Sequence, residues 1–282
     1  MRISVLVENS GSDDRKDLSP EFGLSLHIEN NGQNILFDTG TSGVFADNAE
    51  KMGIDIGAVT VAVLSHHHFD HGGGLARFLE VNNHAKVYLR ACPDQGHTFK
   101  AFGFLRRFIG IDVDLFERHA DRFVMINNPV EITPDVVLLT DLTGRHPRPK
   151  GNGHLWVKRD GQLIPDPFDH ELEMVIRKPD GLTVFTGCSH SGILNMVDAA
   201  IARFPDLPVK AVFGGFHLIG NPLLKSMAGT RPEVETIGRE MLDRSITTVF
   251  SGHCTGEKAF AVLKSVMGET LQSFSTGGRF EV

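Results

Sequence analysis

Short runs of β-type residues recur along the whole chain, separated by Gly, Asn and Asp. Their length and bounding turn residues predict strands at 3–7, 24–29, 34–38, 59–65, 86–90, 122–126, 136–140, 155–158 and 173–177. Further strands are predicted at 182–186, 209–213, 247–251 and 271–275. Asn30-Asn31-Gly32 between two of these runs predicts a hairpin turn. Helical periodicity is rarer, at 44–52, 75–81, 193–204, 231–244 and 257–267. In 193–204, Ile193, Val197, Ala200 and Ile201 share one face. In 231–244, Thr230, Pro232 and Glu233 form the N-terminal signature of a capping box. Strands outnumber helices but interleave with them, which predicts a mixed α/β (α+β) architecture: two sheets flanked by helices in one domain spanning 1–282. Residues 92–120 mix Gly, Phe and Arg without clean periodicity and are expected to form an insertion, a helical lid over a pocket.

Composition narrows this picture. The 282 residues are enough to bury about three quarters of the surface of the extended chain, so no disulfide staple is required. Three scattered cysteines, Cys92, Cys188 and Cys254, fit a reducing compartment, and the cytoplasm is the expected location. The apolar run at 3–7 is too short for a signal-peptide core, and nothing approaches the ~20 apolar residues of a membrane span. A net charge of -7 argues against a nucleic-acid groove. With 20 Phe against one Tyr and one Trp, the core should be Phe-rich.

The 14 histidines change the picture most, because four of them fall in His66-His67-His68-Phe69-Asp70-His71, followed by Gly72-Gly73-Gly74. In extended chain His66 and His68 point the same way and can share a metal ion, while His67 points away. Asp70 and His71 follow as the chain turns and can reach a second ion. Three later strands also end in small-residue turns bearing a histidine. They are Thr186-Gly187-Cys188-Ser189-His190, Phe213-Gly214-Gly215-Phe216-His217 and Ser251-Gly252-His253-Cys254. Cys188 and Cys254, beside these histidines, read as small buried packing residues rather than ligands.

His66-x-His68-x-Asp70-His71, the upstream Phe37-Asp38-Thr39-Gly40 and the later strand-end histidines together resemble the metallo-β-lactamase superfamily. The resemblance implies a four-layer αββα sandwich with two divalent metal ions at the sheet edges, zinc first and manganese or iron as alternatives. It implies His66, His68 and His190 on one ion, and Asp70, His71 and His253 on the other. Asp38 would be a buried carboxylate orienting a ligand. One feature departs from the family pattern: where a carboxylate usually bridges the ions, this chain reads Gly214-Gly215-Phe216-His217. His217 then stands as a replacement ligand, as a proton donor or substrate contact, or as a structural residue. The missing charge would favour an anionic substrate.

Val7-Glu8-Asn9, Gly23-Leu24-Ser25 and the motifs around His190, His217 and His253 are similar to a narrower branch. That branch comprises the dihydropteroate-synthase-like or 7,8-dihydropterin-6-methyl-aminobenzene-ribofuranosyl-5'-phosphate synthase-like proteins. It implies joining a pterin diphosphate to a ribosylated aminobenzoate. Where the branch tends to show Glu-His-Gly, this chain has Glu21-Phe22-Gly23. The basic loop at 143–150 offers Arg145 and Arg148 as fork donors to a phosphate or carboxylate, and Glu8 and Asn9 are expected to line the pocket. The functional expectation is a metallohydrolase with Asp70 and His217 handling protons and a small phosphorylated, anionic substrate. A pterin-diphosphate synthase or a non-catalytic metal-stabilised sensor are the alternatives.

Overall fold

In the computed structural model, which describes residues 1–92, 95–220 and 226–282, two seven-stranded sheets stack face to face. The first sheet is ordered β18 (Arg279–Glu281), β1 (Arg2–Val7), β2 (Ser25–Asn30), β3 (Gln33–Phe37), β4 (Val61–Val63), β5 (Lys86–Arg90) and β8 (Phe123–Ile126). The second is ordered β17 (Leu271–Ser273), β16 (Thr248–Ser251), β15 (Val209–Gly214), β14 (Gly181–Phe185), β13 (Glu173–Lys178), β10 (Val136–Leu139) and β9 (Val130–Thr133). Strand β10 shows why they stack. Its four residues are all buried, and alternate ones face opposite layers. Val136 and Leu138 enter the core between the sheets, while Val137 and Leu139 enter the core under the helices.

Helices cover both outer faces. Besides the short α2 (Phe69–Gly72), which carries Asp70 and His71, the first sheet is covered by α1 (Val44–Lys51), α3 (Leu75–Val81) and α4 (Asp114–Arg118), which set Phe45, Ala49, Phe78 and Leu115 against Leu36, Ala62 and Val87. On the second lie α5 (Ile193–Arg203), α6 (Arg231–Asp243) and α7 (Glu257–Met267), packing Val197, Ala200, Val234 and Leu263 on Val175, Val184 and Val212. The four layers of an αββα sandwich follow. The capping box of α6 is formed, with the Thr230 backbone N–H donating to Glu233 Oε2 at 2.7 Å. The hairpin between β2 and β3 turns on Asn31 (φ 48°) and Gly32 (φ 77°), both left-handed as a tight hairpin requires.

The segment expected to be a helical lid is chiefly β. Strands β6 (Gln95–Ala101) and β7 (Leu105–Phe108) form a hairpin that joins β11 (Leu155–Arg159) and β12 (Gln162–Pro165) in a third, four-stranded sheet. Only the five residues of α4 are helical there, and Pro93 and Asp94 of that expectation lie outside the described residues. The hairpin escaped periodicity because Arg106, Arg107 and Phe108 of β7 are exposed, so no apolar face marks it. Within the described residues, no helix is long and apolar enough to cross a membrane.

Candidate metal centre

Strands β14, β15 and β16 run parallel and in register, so that Phe185, Phe213 and Phe250 lie side by side between the sheets. Each strand leaves the sheet at that same edge. Cys188 and His190 follow β14, His217 follows β15 and His253 follows β16. Across the sandwich, β3 and β4 pair in register at Phe37 and Val63, delivering Asp38 and then Ser65 to His71 to the same place. Four residues at these strand ends take left-handed φ: Asp38 (60°), Ser189 (58°), His217 (47°) and His253 (48°). Such backbone costs about 1–3 kcal/mol per residue and tends to gather at functional sites.

Among the described residues four groups of donors come within reach of a metal ion. One joins His217 to Cys188 and His190, another joins Asp166 and His170 to His68, and two carry the ligands expected from the sequence. In one of these two, ligand atoms of His66, His68 and His190 lie within 4.8 Å of one another. The Nε2 atoms of all three are buried without a hydrogen-bond partner. Orphaned polar atoms of this kind are costly, and three converging on one point fit the donor set of a divalent cation. In the other group Asp70, His71, Cys188 and His253 also offer ligand atoms within 4.8 Å. His71 Nε2 faces His253 Nε2 at 3.1 Å, and Asp70 Oδ2 lies 3.3 Å from His253 Nε2.

Hydrogen bonds on the far side of four of these rings orient them. The His71 Nδ1–H donates to Asp38 Oδ2 at 2.6 Å. Asp38 also accepts from the Ser65 backbone N–H at 2.7 Å and the Ser65 hydroxyl at 2.8 Å, and Ser65 Oγ lies 2.9 Å from His66 Nδ1. The His190 Nδ1–H donates to Asn152 Oδ1 at 3.0 Å, with the Asn152 amide returning a bond to the His190 carbonyl. The His253 Nδ1–H donates to Asn9 Oδ1 at 3.0 Å. These contacts favour the proton on Nδ1 of His66, His71 and His190 and turn Nε2, the atom a metal takes, inward.

Electrostatics agree. Burial, then the neighbouring imidazoles, holds His66 and His190 well below the ordinary imidazole range, and burial also lowers His68. Burial alone would raise Asp70, but His71 and His253 outweigh it and keep the carboxylate ionised. Burial would likewise lower His253, yet Asp70 raises it to about 9. Burial pushes the Cys188 thiol well up.

The family model of the metallo-β-lactamase superfamily matches residues 18–189. The chain belongs to that superfamily. The 7,8-dihydropterin-6-methyl-4-(β-D-ribofuranosyl)-aminobenzene-5'-phosphate synthase of Methanocaldococcus jannaschii is 29% identical over 274 residues, 91% of this chain and 88% of that protein. An uncharacterized protein of the same organism is 31% identical over 231 residues, 77% of this chain and 80% of its own length. The crystal structure of Tm1679, a metal-dependent hydrolase of the β-lactamase superfamily, is 32% identical and superposes with a TM-score of 0.81, covering 100% of this chain and 99% of that one.

Around this metallo-β-lactamase core the other expected residues fall in different places. His67 turns away, with Nε2 2.9 Å from the Arg90 carbonyl. His217 is half-buried, its ring 4.3 Å from that of His190, and neither ring nitrogen has a partner. Glu8 and Asn9 are directed at the His253 turn: Glu8 Oε1 accepts from the His253 N–H at 2.7 Å, and Asn9 grips that residue from both sides. Phe22, where the similar branch tends to carry a histidine, packs its ring 5.2 Å from that of His253. Arg145 is exposed, with Nε 3.5 Å from His146 Nε2. Arg148 lines a cavity of about 410 Å³ together with Arg90, Thr140, Phe168 and Ser191.

Sequence reasoning missed a buried set beside His68. Asp166 Oδ2 lies 3.9 Å from His68 Nε2 and accepts from the His170 Nε2–H at 3.2 Å, while His170 Nδ1 accepts the His67 N–H at 3.1 Å. His97, from the β6 hairpin, brings a buried Nε2 without a partner next to them, its ring 4.5 Å from that of His170. Asn152, which orients His190, sits in a single 3₁₀ turn. No histidine at the end of an apolar run marks these residues in the sequence, since they precede strands or belong to other elements.

Proposed function

We propose that this chain is a dinuclear metallohydrolase acting on a small phosphorylated metabolite. The observation that carries the reading is the convergence of three buried, unpartnered Nε2 atoms beside a second, carboxylate-containing donor group. His66, His68 and His190 would hold one divalent ion, and Asp70, His71 and His253 the other, with zinc the first choice and manganese or iron the alternatives. Bound there, such ions would bring a water toward a pKa near 7 and polarise the attacked phosphoryl group. Asp38, Ser65, Asn152 and Asn9 keep the imidazoles aimed. His217, with both ring nitrogens unpartnered beside His190, would hand a proton to a leaving oxygen. Asp70, ionised in its pocket, can steer a proton as well as ligate. Arg148, with Arg90 in the neighbouring cavity, offers fork donors for an anionic end of the substrate. The cytoplasm stays the proposed location, since the few scattered cysteines suit a reducing compartment.

Similarity to Tm1679, a metal-dependent hydrolase, supports hydrolysis. Similarity to the Methanocaldococcus synthase favours a second reading, transfer onto a phosphorylated, pterin-related substrate at the same residues. Bis(4-nitrophenyl) phosphate separates them. Chelator-stripped protein should be inactive and regain turnover when zinc, manganese or iron is restored. Metal uptake with no turnover under any of the three would discard the phosphoesterase reading and leave the transfer or sensor readings.

A further inference from the structure

One sulfur atom reaches from the second donor group toward a member of the first. Cys188 Sγ belongs with Asp70, His71 and His253, and the same atom lies within 4.8 Å of the ligand nitrogens of His190 and His217. It stands 3.2 Å from His71 Nε2, and the residue is buried. His190 in turn belongs to the group with His66 and His68, and its Nε2 is buried, unpartnered and turned to the same space.

We infer that Cys188 is a metal ligand, its thiolate spanning the two ions where this chain lacks a bridging carboxylate. This rests on the two-metal reading and adds a residue to it. Three observations support the assignment. First, the turn 186–190 leaves β14 at the edge where β15 and β16 deliver their histidines, so the thiol comes from the sandwich half that lacks the carboxylate. Second, a thiolate carries the same single negative charge, so the balance of the ions with Asp70 is that of a carboxylate-bridged site. Third, the other nearby cysteine is differently used. Cys254 Sγ accepts the His217 N–H at 3.3 Å and approaches the Cys188 carbonyl, and it belongs to none of the donor groups among the described residues. A sulfur at this place selects thiophilic ions, zinc or cobalt before manganese or magnesium.

Cobalt(II) reads the bond directly, because thiolate ligation adds an intense near-ultraviolet charge-transfer band that nitrogen and oxygen ligands lack. Stripped protein is titrated with cobalt, and bound metal is counted separately by elemental analysis. The wild type and Cys254→Ser should bind two ions per chain and show the band. Cys188→Ser should lose the band, and Cys188→Asp should keep two ions without it, both checked for folding by circular dichroism. Two ions and no band in the wild type would overturn the thiolate while leaving the two-metal reading intact, an outcome that needs no variant to fold. A band that persists in Cys188→Ser would overturn it equally. One ion with the band would overturn the bridge, and no uptake would overturn the two-metal reading together with this inference.

Discussion

Asp38 is the residue through which one buried charge orients two imidazoles. It takes the His71 Nδ1–H directly and reaches His66 through the Ser65 hydroxyl. An imidazole held in this way keeps its lone pair on Nε2, so the residue sets tautomer as well as angle. Asp38→Asn preserves the volume but replaces an acceptor by a group that can donate toward Nδ1. We expect metal affinity to fall about 10–100-fold with the fold retained, measured by competition against a chelating dye. Unchanged affinity would show that His71 is not held by this contact. At this scale the sequence was informative where chemistry follows spacing. His66 and His68 share a side because extended chain repeats every two residues, and His67 turns away for the same reason. It was uninformative where position depends on tertiary packing. Cys188 reads as a packing residue in sequence because the neighbouring histidines already fill the expected shell, yet it sits among the donors. Asp166 and His170 precede β13 and reach His68 only through the folded chain.

Among elements, the central parallel strands do most to build the site, because one register fixes both core and edge. Phe213 stacks between Phe185 (ring centroids 5.4 Å) and Phe250 (4.3 Å). Removing it opens a void between the sheets directly below the turns that carry His217, Cys188 and His253. Phe213→Ala should cost about 3–5 kcal/mol of stability. It should also weaken metal binding, since the strained turns at Ser189, His217 and His253 are kept in place by that packing. Urea denaturation checks the first effect; a loss under 1 kcal/mol would mean the sheets close over the gap. These strands were legible from their apolar runs and glycine-rich ends, as were α3 and α7 to the residue. The edge strands β9, β12 and β18 were not, being short and only partly buried. Neither was the β6–β7 hairpin, whose pairing with β11 depends on residues more than 45 positions apart. That hairpin supplies His97, so part of the histidine cluster was out of reach of local pattern.

For the whole molecule, gathering so many imidazoles in a dry interior makes stability depend on acid. Burial holds His67 at about 3 and His97 at about 2, and lowers His66, His68 and His190. In the unfolded chain all five titrate near 6.5. Between about pH 6.5 and pH 4 the unfolded state therefore binds more protons than the native one, and stability rises with pH across that window. Each such group contributes at most about 1.4 kcal/mol per pH unit. His253, raised to about 9 by Asp70, acts in the opposite sense: its contribution is complete below 6.5 and is lost as pH climbs through 9. Asp70 and Asp166, both held low, add stability that disappears only below the ordinary carboxylate range. Histidine titration thus governs the window from 6.5 to 4. Chelator-treated protein should lose stability steeply from pH 7 to pH 5 in urea melts. His97→Phe, which removes a proton-binding group from the unfolded chain and an orphaned Nε2 from the native one, should flatten that slope by about 1.4 kcal/mol per pH unit. A slope that does not change in His97→Phe would mean that His97 takes its proton in the native state, and that the cluster is open to water when no metal is bound.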